Sequence, residues 1–336
     1  MSPIALTRRR VLLGGVGLLA YSGTAYWSIT ERIMRAEVPL YGETVAFGGG
    51  GSREIVPVGR VDAVVPGTRV LADRVQTAAL LEEEQAWLAS CAPWVQTRLD
   101  AGDDVLRSAL LDLRALSADL KVSVAGWTDR WRYAWPRDVS FVAAALARVG
   151  HHDAAADQLR WLRGVQGRDG GFEARYDPST RRPPDDRVAQ LDGTGWVVWG
   201  AAQIAAQSPE RATELLIRKH VLVAPIGPTE ADVEVLTAID RAQTSMLRPA
   251  GGLAPGASWK NDGISWTPTT ALFAAAWAAN GYPTKAEILL KWLGDHRTEA
   301  GSYPEKVLHD GRPAAVAPLA WTASLVVIAT HELVRA

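Results

Sequence analysis

Residues 126–149 read GWTDRWRYAWPRDVSFVAAALARV and join an aromatic-rich loop to a helical pattern. Within residues 131–138 lie three aromatic side chains, two arginines and one carboxylate. From Val139 to Val149 apolar residues recur at three- and four-residue spacing, which predicts an amphipathic helix. A loop gains little from exposed indoles, and an apolar core does not accommodate an unpaired arginine. The combination therefore predicts a pocket for a flat, hydroxylated ligand such as a sugar ring.

The composition excludes several classes of protein. The chain has 336 residues, 48% of them hydrophobic, and a formal net charge of −1 at pH 7. It therefore lacks the basic bias of a nucleic-acid-binding protein. Its one cysteine, Cys91, excludes an internal disulfide framework, and its six histidines show no metal-ligand spacing, so we expect no metal and no cofactor. Fourteen tryptophans exceed what core packing usually requires, and they favour a ligand site with aromatic walls.

The first 35 residues resemble an export signal. Residues 7–13 read TRRRVLL, and an apolar run continues from there to about Ile29. A basic head before a hydrophobic stretch resembles a twin-arginine signal, which predicts recognition by the twin-arginine export machinery. An uncleaved membrane anchor is the alternative, because the run nearly has the length that spans a bilayer. Both interpretations place the rest of the chain outside the cytoplasm, and this segment is its one expected contact with a membrane.

Residues 36–72 are rich in glycine, valine and proline and include GGGGS at 48–52. This composition predicts a linker or a short β element. A phosphate-binding loop is not expected, because no Gly-Lys-Ser/Thr sequence follows the glycines.

Apolar residues recur at helical spacing in about ten segments from residue 73 onwards. These segments are residues 76–90, 104–118, 139–149, 154–163, 188–207, 210–219, 230–247, 267–279, 284–293 and 317–333. Asp138 and Thr284 are the expected N-caps of two of them. The pattern predicts an all-α fold over residues 73–336, an α/α toroid of helical hairpins whose loops surround a pocket at the ring axis. A short β or irregular segment is expected before it.

The segment GWTDRWRYAWPRDVSF, residues 126–141, resembles the first signature of glycoside hydrolase family 15, the glucoamylases, glucodextranases and trehalases. The resemblance implies a six-hairpin glycosidase fold in which an Arg-Asp pair holds the sugar at the non-reducing end. By position this pair is Arg137 and Asp138, and their chemistry is suitable, since a carboxylate accepts from vicinal hydroxyls and a guanidinium donates in pairs. The tryptophans expected to stack on the sugar are Trp127, Trp135, Trp259 and Trp266.

Two further segments follow in the order found in that family. Residues 302–307, SYPEKV, together with residues 317–322, APLAWT, resemble the segment that supplies the general base. This resemblance implies that Glu305 activates the attacking water. Residues 190–192, QLD, resemble a segment beside the pocket, which implies a binding role for Asp192.

The segment expected to supply the general acid departs from the family pattern. Residues 258–268 read SWKNDGISWTP, and Lys260 stands where the resemblance implies a glutamate. A lysine with an ordinary pKa near 10.4 is a poor proton donor at neutral pH. Asp262 and Glu173 are therefore the candidate acids, whereas Lys260 is expected to contact the sugar.

Three functions stay open at this point. The first is an inverting glycosidase with a relocated acid that acts on terminal α-glucosidic bonds at non-reducing ends. The second is a non-catalytic carbohydrate-binding protein on the same scaffold, and the third is altered chemistry on a related saccharide. Residues 161–172 also resemble one copy of a terpene-cyclase repeat, but those enzymes carry several copies. The helices are fewer than the twelve of the family ring, so the ring is either abbreviated or has its first hairpins within residues 73–118.

Overall fold

The computed structural model of the chain describes residues 36–208 and 233–335. Ten α-helices occur in these two stretches: α1 Thr77–Ala89, α2 Pro93–Asp100, α3 Asp104–Ser117, α4 Pro136–Arg148, α5 His152–Val165, α6 Leu191–Gln207, α7 Val233–Met246, α8 Thr267–Ala279, α9 Pro283–Asp295 and α10 Ala320–Arg335. Five short strands accompany them: β1 Thr44–Phe47, β2 Arg53–Val56, β3 Ser265–Trp266, β4 Lys306–Val307 and β5 Pro313–Ala314. Of the helices within these stretches, none is long and apolar enough to cross a membrane. The predicted export signal at 1–35 and the predicted helix at 210–219 lie outside the described residues.

Paired helices form the body of the molecule. The consecutive helices α4 and α5 pack on each other, as do α8 and α9. Next to these pairs, α4 packs side by side with α6 and α10, and α10 also packs on α3 and α8. One continuous core lies between them and includes the buried rings of Phe141 and Trp277. The all-α class predicted from the sequence is confirmed.

Two helices begin at a proline that precedes the first helical residue predicted from the sequence. Helix α4 begins at Pro136 and α9 begins at Pro283. Proline suits this position because its fixed φ is already helical and its missing N–H has no partner there. The prediction that Asp138 and Thr284 are N-caps is therefore wrong, since both residues lie inside the first helical turn.

A β-hairpin lies within residues 36–72. Strands β1 and β2 pair antiparallel, with Thr44 opposite Val56 and Phe47 opposite Arg53. The turn between them places Gly50 at a φ of 67°, in the left-handed region that favours glycine. Strand β1 packs against α3, so the hairpin is fixed to the helical body.

A second, three-stranded sheet lies next to the beginning of α8. Its strands β3, β4 and β5 pair antiparallel, and Trp266 lies opposite Lys306. The chain before β1 forms a bridge with Ala315, the residue that follows β5. Tyr41 N donates to Ala315 O at 2.9 Å, and Ala315 N donates to Pro39 O at 3.0 Å. The N-terminal segment is thereby attached to the loops at the C-terminal end of the chain.

Candidate functional site

A cavity of about 540 Å³ lies where the N-terminal ends of α4, α6, α8 and α10 meet. Its volume falls in the range typical of small-molecule sites, roughly 300–1,000 Å³. The residues that line it are Ala125, Arg130, Trp131, Trp135, Arg137, Asp138, Arg175, Arg187, Gln190, Trp266, Pro268, Glu305, Leu319 and Trp321. Helix N-termini present unpaired N–H groups and the positive ends of helix dipoles, so the location favours ligand oxygens.

Arg137 and Asp138 lie in the first turn of α4 and line this cavity. Arg137 Nε lies 3.4 Å from Asp138 Oδ2, and Arg137 Nη1 donates to Asp192 Oδ2 at 3.0 Å. The guanidinium also covers the ring of Trp321, 4.2 Å from its centroid. Burial raises the pKa of Asp138 to about 6, Arg137 opposes this rise, and the charge of Glu305 adds to it. The Arg-Asp pair is thus held in place by its neighbours, and its carboxyl changes charge near pH 6.

Glu305 lines the same cavity, although it lies far from Asp138 in the sequence. The residue precedes β4, and its backbone is fixed because Glu305 N donates to Val316 O at 2.8 Å and Glu305 O accepts from Thr267 N at 3.1 Å. Lys306 Nζ lies 3.5 Å from Glu305 Oε2 and 4.5 Å from the ring centroid of Trp266. Burial raises the pKa of Glu305 above its usual range, while the charge of Lys306 opposes this rise. The adjacent lysine therefore favours the ionised form that a general base requires.

A buried aspartate on α3 holds the turn before β4. Asp112 accepts hydrogen bonds from Ser302 Oγ at 2.7 Å, Tyr303 N at 2.8 Å and Arg69 Nε at 2.8 Å. Because Ser302 gives its proton to Asp112, the Thr44 hydroxyl of β1 donates to Ser302 Oγ at 2.6 Å. The sequence analysis missed Asp112, although its place within the apolar run LLDL of a helix was a signal that it is buried. This network connects the N-terminal hairpin, α3 and the turn that carries the cavity carboxylate.

Several buried polar atoms of the lining side chains have no hydrogen-bond partner among the described residues. They are Arg137 Nε, Asp138 Oδ2, Arg175 Nε, Trp266 Nε1, Glu305 Oε2 and Trp321 Nε1. Three of these atoms, Arg137 Nε, Asp138 Oδ2 and Glu305 Oε2, lie within ion-pair distance of a charged neighbour, but without the geometry of a hydrogen bond. An unmade hydrogen bond at a buried group costs about 1–3 kcal/mol, so native proteins leave few of them. Their concentration around one cavity indicates donors and acceptors that a polar ligand would satisfy.

The tryptophans predicted to contact the ligand are not all at the cavity. Trp135 and Trp266 line it. Trp127 does not, and its Nε1 instead donates to Arg53 O at 3.2 Å. Trp259 is 41% exposed and packs edge-on against Trp266, with 5.8 Å between their ring centroids. The aromatic walls also include Trp131, one of the three aromatic side chains of residues 131–138 expected at the pocket, and Trp321, which the prediction did not name.

The candidate proton donors of the sequence analysis lie away from the cavity. The candidate acid Asp262 accepts from Ile264 N at 3.1 Å within its own turn, and Lys260, which was expected to contact the sugar, is exposed and does not line the cavity. Glu173 lines a separate cavity beside residues 165–171. Within the stretches 36–208 and 233–335, the carboxyls that line the main cavity are Asp138 and Glu305.

Other lining residues were not predicted. Arg175 is buried and its guanidinium lies over the rings of Tyr133, at 4.4 Å, and Trp135, at 5.2 Å. Arg130 and Arg187 are exposed and lie on the same cavity. In the sequence these arginines stand in loops without periodicity, so no pattern distinguished them from solvated surface charges. Across the two described stretches, no cluster of three or more His, Cys, Asp or Glu side chains could hold a metal ion.

Comparisons with known proteins identify the fold. No protein-family model matches the chain, and no curated protein matches it either. Among solved structures, a wild-type glycosidase aligns with a TM-score of 0.53 and 16% identity, over 68% of this chain and 96% of that one. A substituted form of a glycosidase in complex with glucose aligns with the same values. A bacterial glucoamylase complexed with acarbose aligns with a TM-score of 0.50 and 12% identity, over 77% of this chain and 59% of that one.

These similarities confirm the predicted fold, an α/α toroid of the glycosidase type with a short N-terminal β and irregular segment. The resemblance to glucoamylases that the sequence motifs indicated is thereby supported at the level of the fold.

Proposed function

We propose that this chain is a glycosidase that hydrolyses terminal α-glucosidic bonds at the non-reducing end of oligo- or polysaccharides, with inversion. The observation that carries the proposal is the convergence of Arg137, Asp138 and Glu305 on one tryptophan-walled cavity, with buried polar atoms that lack partners. The fold shared with solved glycosidases supports it.

In this proposal the first turn of α4 holds the terminal sugar. The Asp138 carboxylate accepts from two neighbouring hydroxyls, and the Arg137 guanidinium donates to a ring or hydroxyl oxygen. Trp135, Trp266 and Trp321 line the same cavity and provide flat faces for the C–H surfaces of the ring. The sugar would thus satisfy polar atoms that are otherwise buried without partners.

Glu305 is the proposed general base. Its carboxylate would take a proton from the water that attacks the anomeric carbon, while the bond to the glycosidic oxygen breaks on the other side of the ring and that oxygen takes a proton from a solvent water. Lys306, 3.5 Å from Glu305 Oε2, favours the ionised state of the base. The position of Glu305 depends on the support of its turn by Asp112, which fixes Ser302 and Tyr303 three and two residues earlier.

A carbohydrate-binding protein without catalysis is the second candidate, and one observation favours it. Neither Lys260, at the position where the resemblance implies the acid, nor Asp262 lines the cavity. Departure of a sugar alkoxide without a proton donor is slow, since general acid catalysis contributes about 10²–10⁴-fold to such reactions. A protein with the sugar-holding groups but no donor would bind saccharides and leave them intact.

Substrates with different leaving groups separate the two candidates. Maltose, isomaltose and trehalose need a proton on the departing oxygen, whereas the p-nitrophenolate of p-nitrophenyl α-glucoside departs without one. The proposed enzyme releases glucose from at least one of the three disaccharides, and Glu305→Gln lowers this rate by about 10²–10⁴-fold. The matched control is Glu82→Gln on the exposed face of α1, which should leave the rate unchanged.

Two results would contradict parts of this proposal. Glucose release that survives Glu305→Gln contradicts the assignment of the base. A change in tryptophan fluorescence on adding saccharide, without hydrolysis of any of the four compounds, supports the non-catalytic binding protein instead.

A further inference from the structure

Three arginines that have no role in holding the terminal sugar also line the cavity: Arg130, Arg175 and Arg187. We refer to them as the cationic mouth. We propose that the cationic mouth binds a carboxylate or phosphate group on the second sugar unit, so that the preferred saccharide is anionic. The inference rests on the proposed function, because that function places the terminal sugar at the base of the cavity.

The two carboxyls of the cavity are buried, whereas two of the three arginines lie at its exposed side. The two carboxyls assigned to the terminal sugar are buried, since Asp138 is 4% exposed and Glu305 is 9% exposed, and Arg175 is also buried. Arg130 and Arg187 are both exposed. A saccharide that enters with its terminal sugar against the two carboxyls therefore places the next unit beside the arginines.

The charges at the mouth do not balance. Arg175 pairs with Asp185, and Arg187 lies 3.8 Å from the same carboxylate. Arg130 has no ion-pair partner in the part of the chain that the structure describes. Two of the three guanidinium groups thus share one carboxylate and the third pairs with none among the described residues, which leaves a positive potential at the entrance of the cavity. A neutral sugar unit would leave this excess charge without compensation, whereas an anionic one would neutralise part of it.

Arg175 is held in position before any ligand binds. It is 9% exposed, its guanidinium lies over Tyr133 and Trp135, and its Nη1 donates to Arg130 O at 2.9 Å. Its Nε is buried and has no hydrogen-bond partner among the described residues. A fixed, largely desolvated guanidinium with a free donor favours a charged acceptor, because hydrogen bonds to ionised groups are about twice as strong as those between neutral groups. The arrangement is thus preorganised for a carboxylate or phosphate oxygen.

Two pairs of saccharides test the proposal, each differing in one charged group. Maltobionate and maltitol share the terminal glucose and differ in the carboxylate of the second unit. Maltose 1-phosphate and methyl α-maltoside make the same comparison with a phosphate. Isothermal titration calorimetry on the full-length protein at pH 7 should give at least about tenfold tighter binding for the charged member of one pair. The pair with the larger difference identifies which group the mouth accepts.

Two variants assign this preference to the mouth. The double variant Arg130→Gln with Arg187→Gln should remove most of the difference, while the affinity for maltitol stays unchanged. Both residues are exposed, so the substitutions should not impair folding. Arg182→Gln is the matched control, since Arg182 is an exposed arginine near Arg187 that does not line the cavity. Raising the ionic strength from about 0.05 to 0.5 M should weaken binding of the charged ligands selectively.

The result distinguishes this inference from the proposed function. Equal affinity for both members of each pair, with glucose released from maltitol, overturns the anionic subsite and leaves the glycosidase standing. A charge preference that persists in the double variant also overturns the assignment to these arginines. Absence of binding by all four saccharides overturns both proposals, whereas anion-dependent binding without hydrolysis supports the subsite alone.

Discussion

Replacing Asp138 by asparagine should stabilise the folded protein at neutral pH while weakening its binding of sugar. Asp138 lines the cavity and is buried, and its Oδ2 has no hydrogen-bond partner among the described residues. An ionised carboxylate in such a place is costly, because water no longer solvates it. Asparagine has nearly the same shape and carries no charge, so it removes this cost.

The magnitude follows from the pKa. Burial raises the pKa of Asp138 from the ordinary 3.8 to about 6. Each factor of ten in an ionisation constant corresponds to about 1.4 kcal/mol, so the difference amounts to about 3 kcal/mol. Between pH 4 and 6 the unfolded chain has already lost this proton while the folded chain retains it. The contribution of Asp138 to stability is therefore intact below pH 4 and is lost as the pH rises through 6.

Urea unfolding at pH 4 and at pH 7.5 measures this effect. The wild type and Asp138→Asn should unfold with nearly equal free energies at pH 4, and the variant should be more stable by up to about 3 kcal/mol at pH 7.5. Asp240→Asn is the control, because Asp240 is exposed and pairs with Lys285 at the surface. In Asp138→Asn, the affinity for glucose should also fall by about tenfold or more, since a carboxylate acceptor is lost.

One result would refute this reasoning. Suppose that the difference in unfolding free energy between Asp138→Asn and the wild type is the same at pH 7.5 as at pH 4. The ionised carboxyl then does not destabilise the folded protein. Its pairing with Arg137 would then outweigh the cost of burial. Gain of stability with loss of binding is expected of a residue that serves the ligand and not the core.

Three other outcomes are expected. Asp112→Ala should lower the free energy of unfolding by about 3–5 kcal/mol, because it breaks a buried ion pair, whereas Asp240→Ala should lower it by about 0–1 kcal/mol. Similar losses in these two variants, measured by urea unfolding, would contradict the role of the buried network. Lys306→Met should raise the pKa of Glu305 further, since a neighbouring cation is lost, and so move the acidic limb of the pH–rate profile to higher pH. A profile that does not move would show that another group limits the rate at low pH. Residues 1–35 fused to a folded reporter should direct it out of the cytoplasm, and substitution of the consecutive arginines by lysine should stop this, as cell fractionation would show.

The sequence predicted the helical fold and those features that a short continuous segment determines. Helix α8 begins and ends where the apolar spacing predicted, at Thr267 and Ala279. The motifs around positions 137 and 305 meet at one cavity, as their resemblance to a glycosidase family implied. The eight residues of α2 escaped prediction, because two turns contain too few apolar positions to establish a helical period.

Long-range partners were beyond the sequence analysis. Asp112 is recognisable as buried from its apolar neighbours, but its partners Ser302 and Arg69 stand 190 and 43 residues away. The same holds for Arg175, whose aromatic neighbours come from the loop before α4. Hydrophobic periodicity describes one helix at a time, whereas these contacts arise from how the hairpins are placed around the ring.

The attachment of Pro39 and Tyr41 to Ala315 has a consequence for the order in which the protein assembles. Synthesis proceeds from the amino terminus, so Pro39 and Tyr41 must wait until the segment around Ala315 has been synthesised before their partner exists. Contacts that span so much of the chain form slowly. Glu305, Leu319 and Trp321 line the cavity from the same part of the chain, so a nascent chain has no finished cavity until these residues have been synthesised.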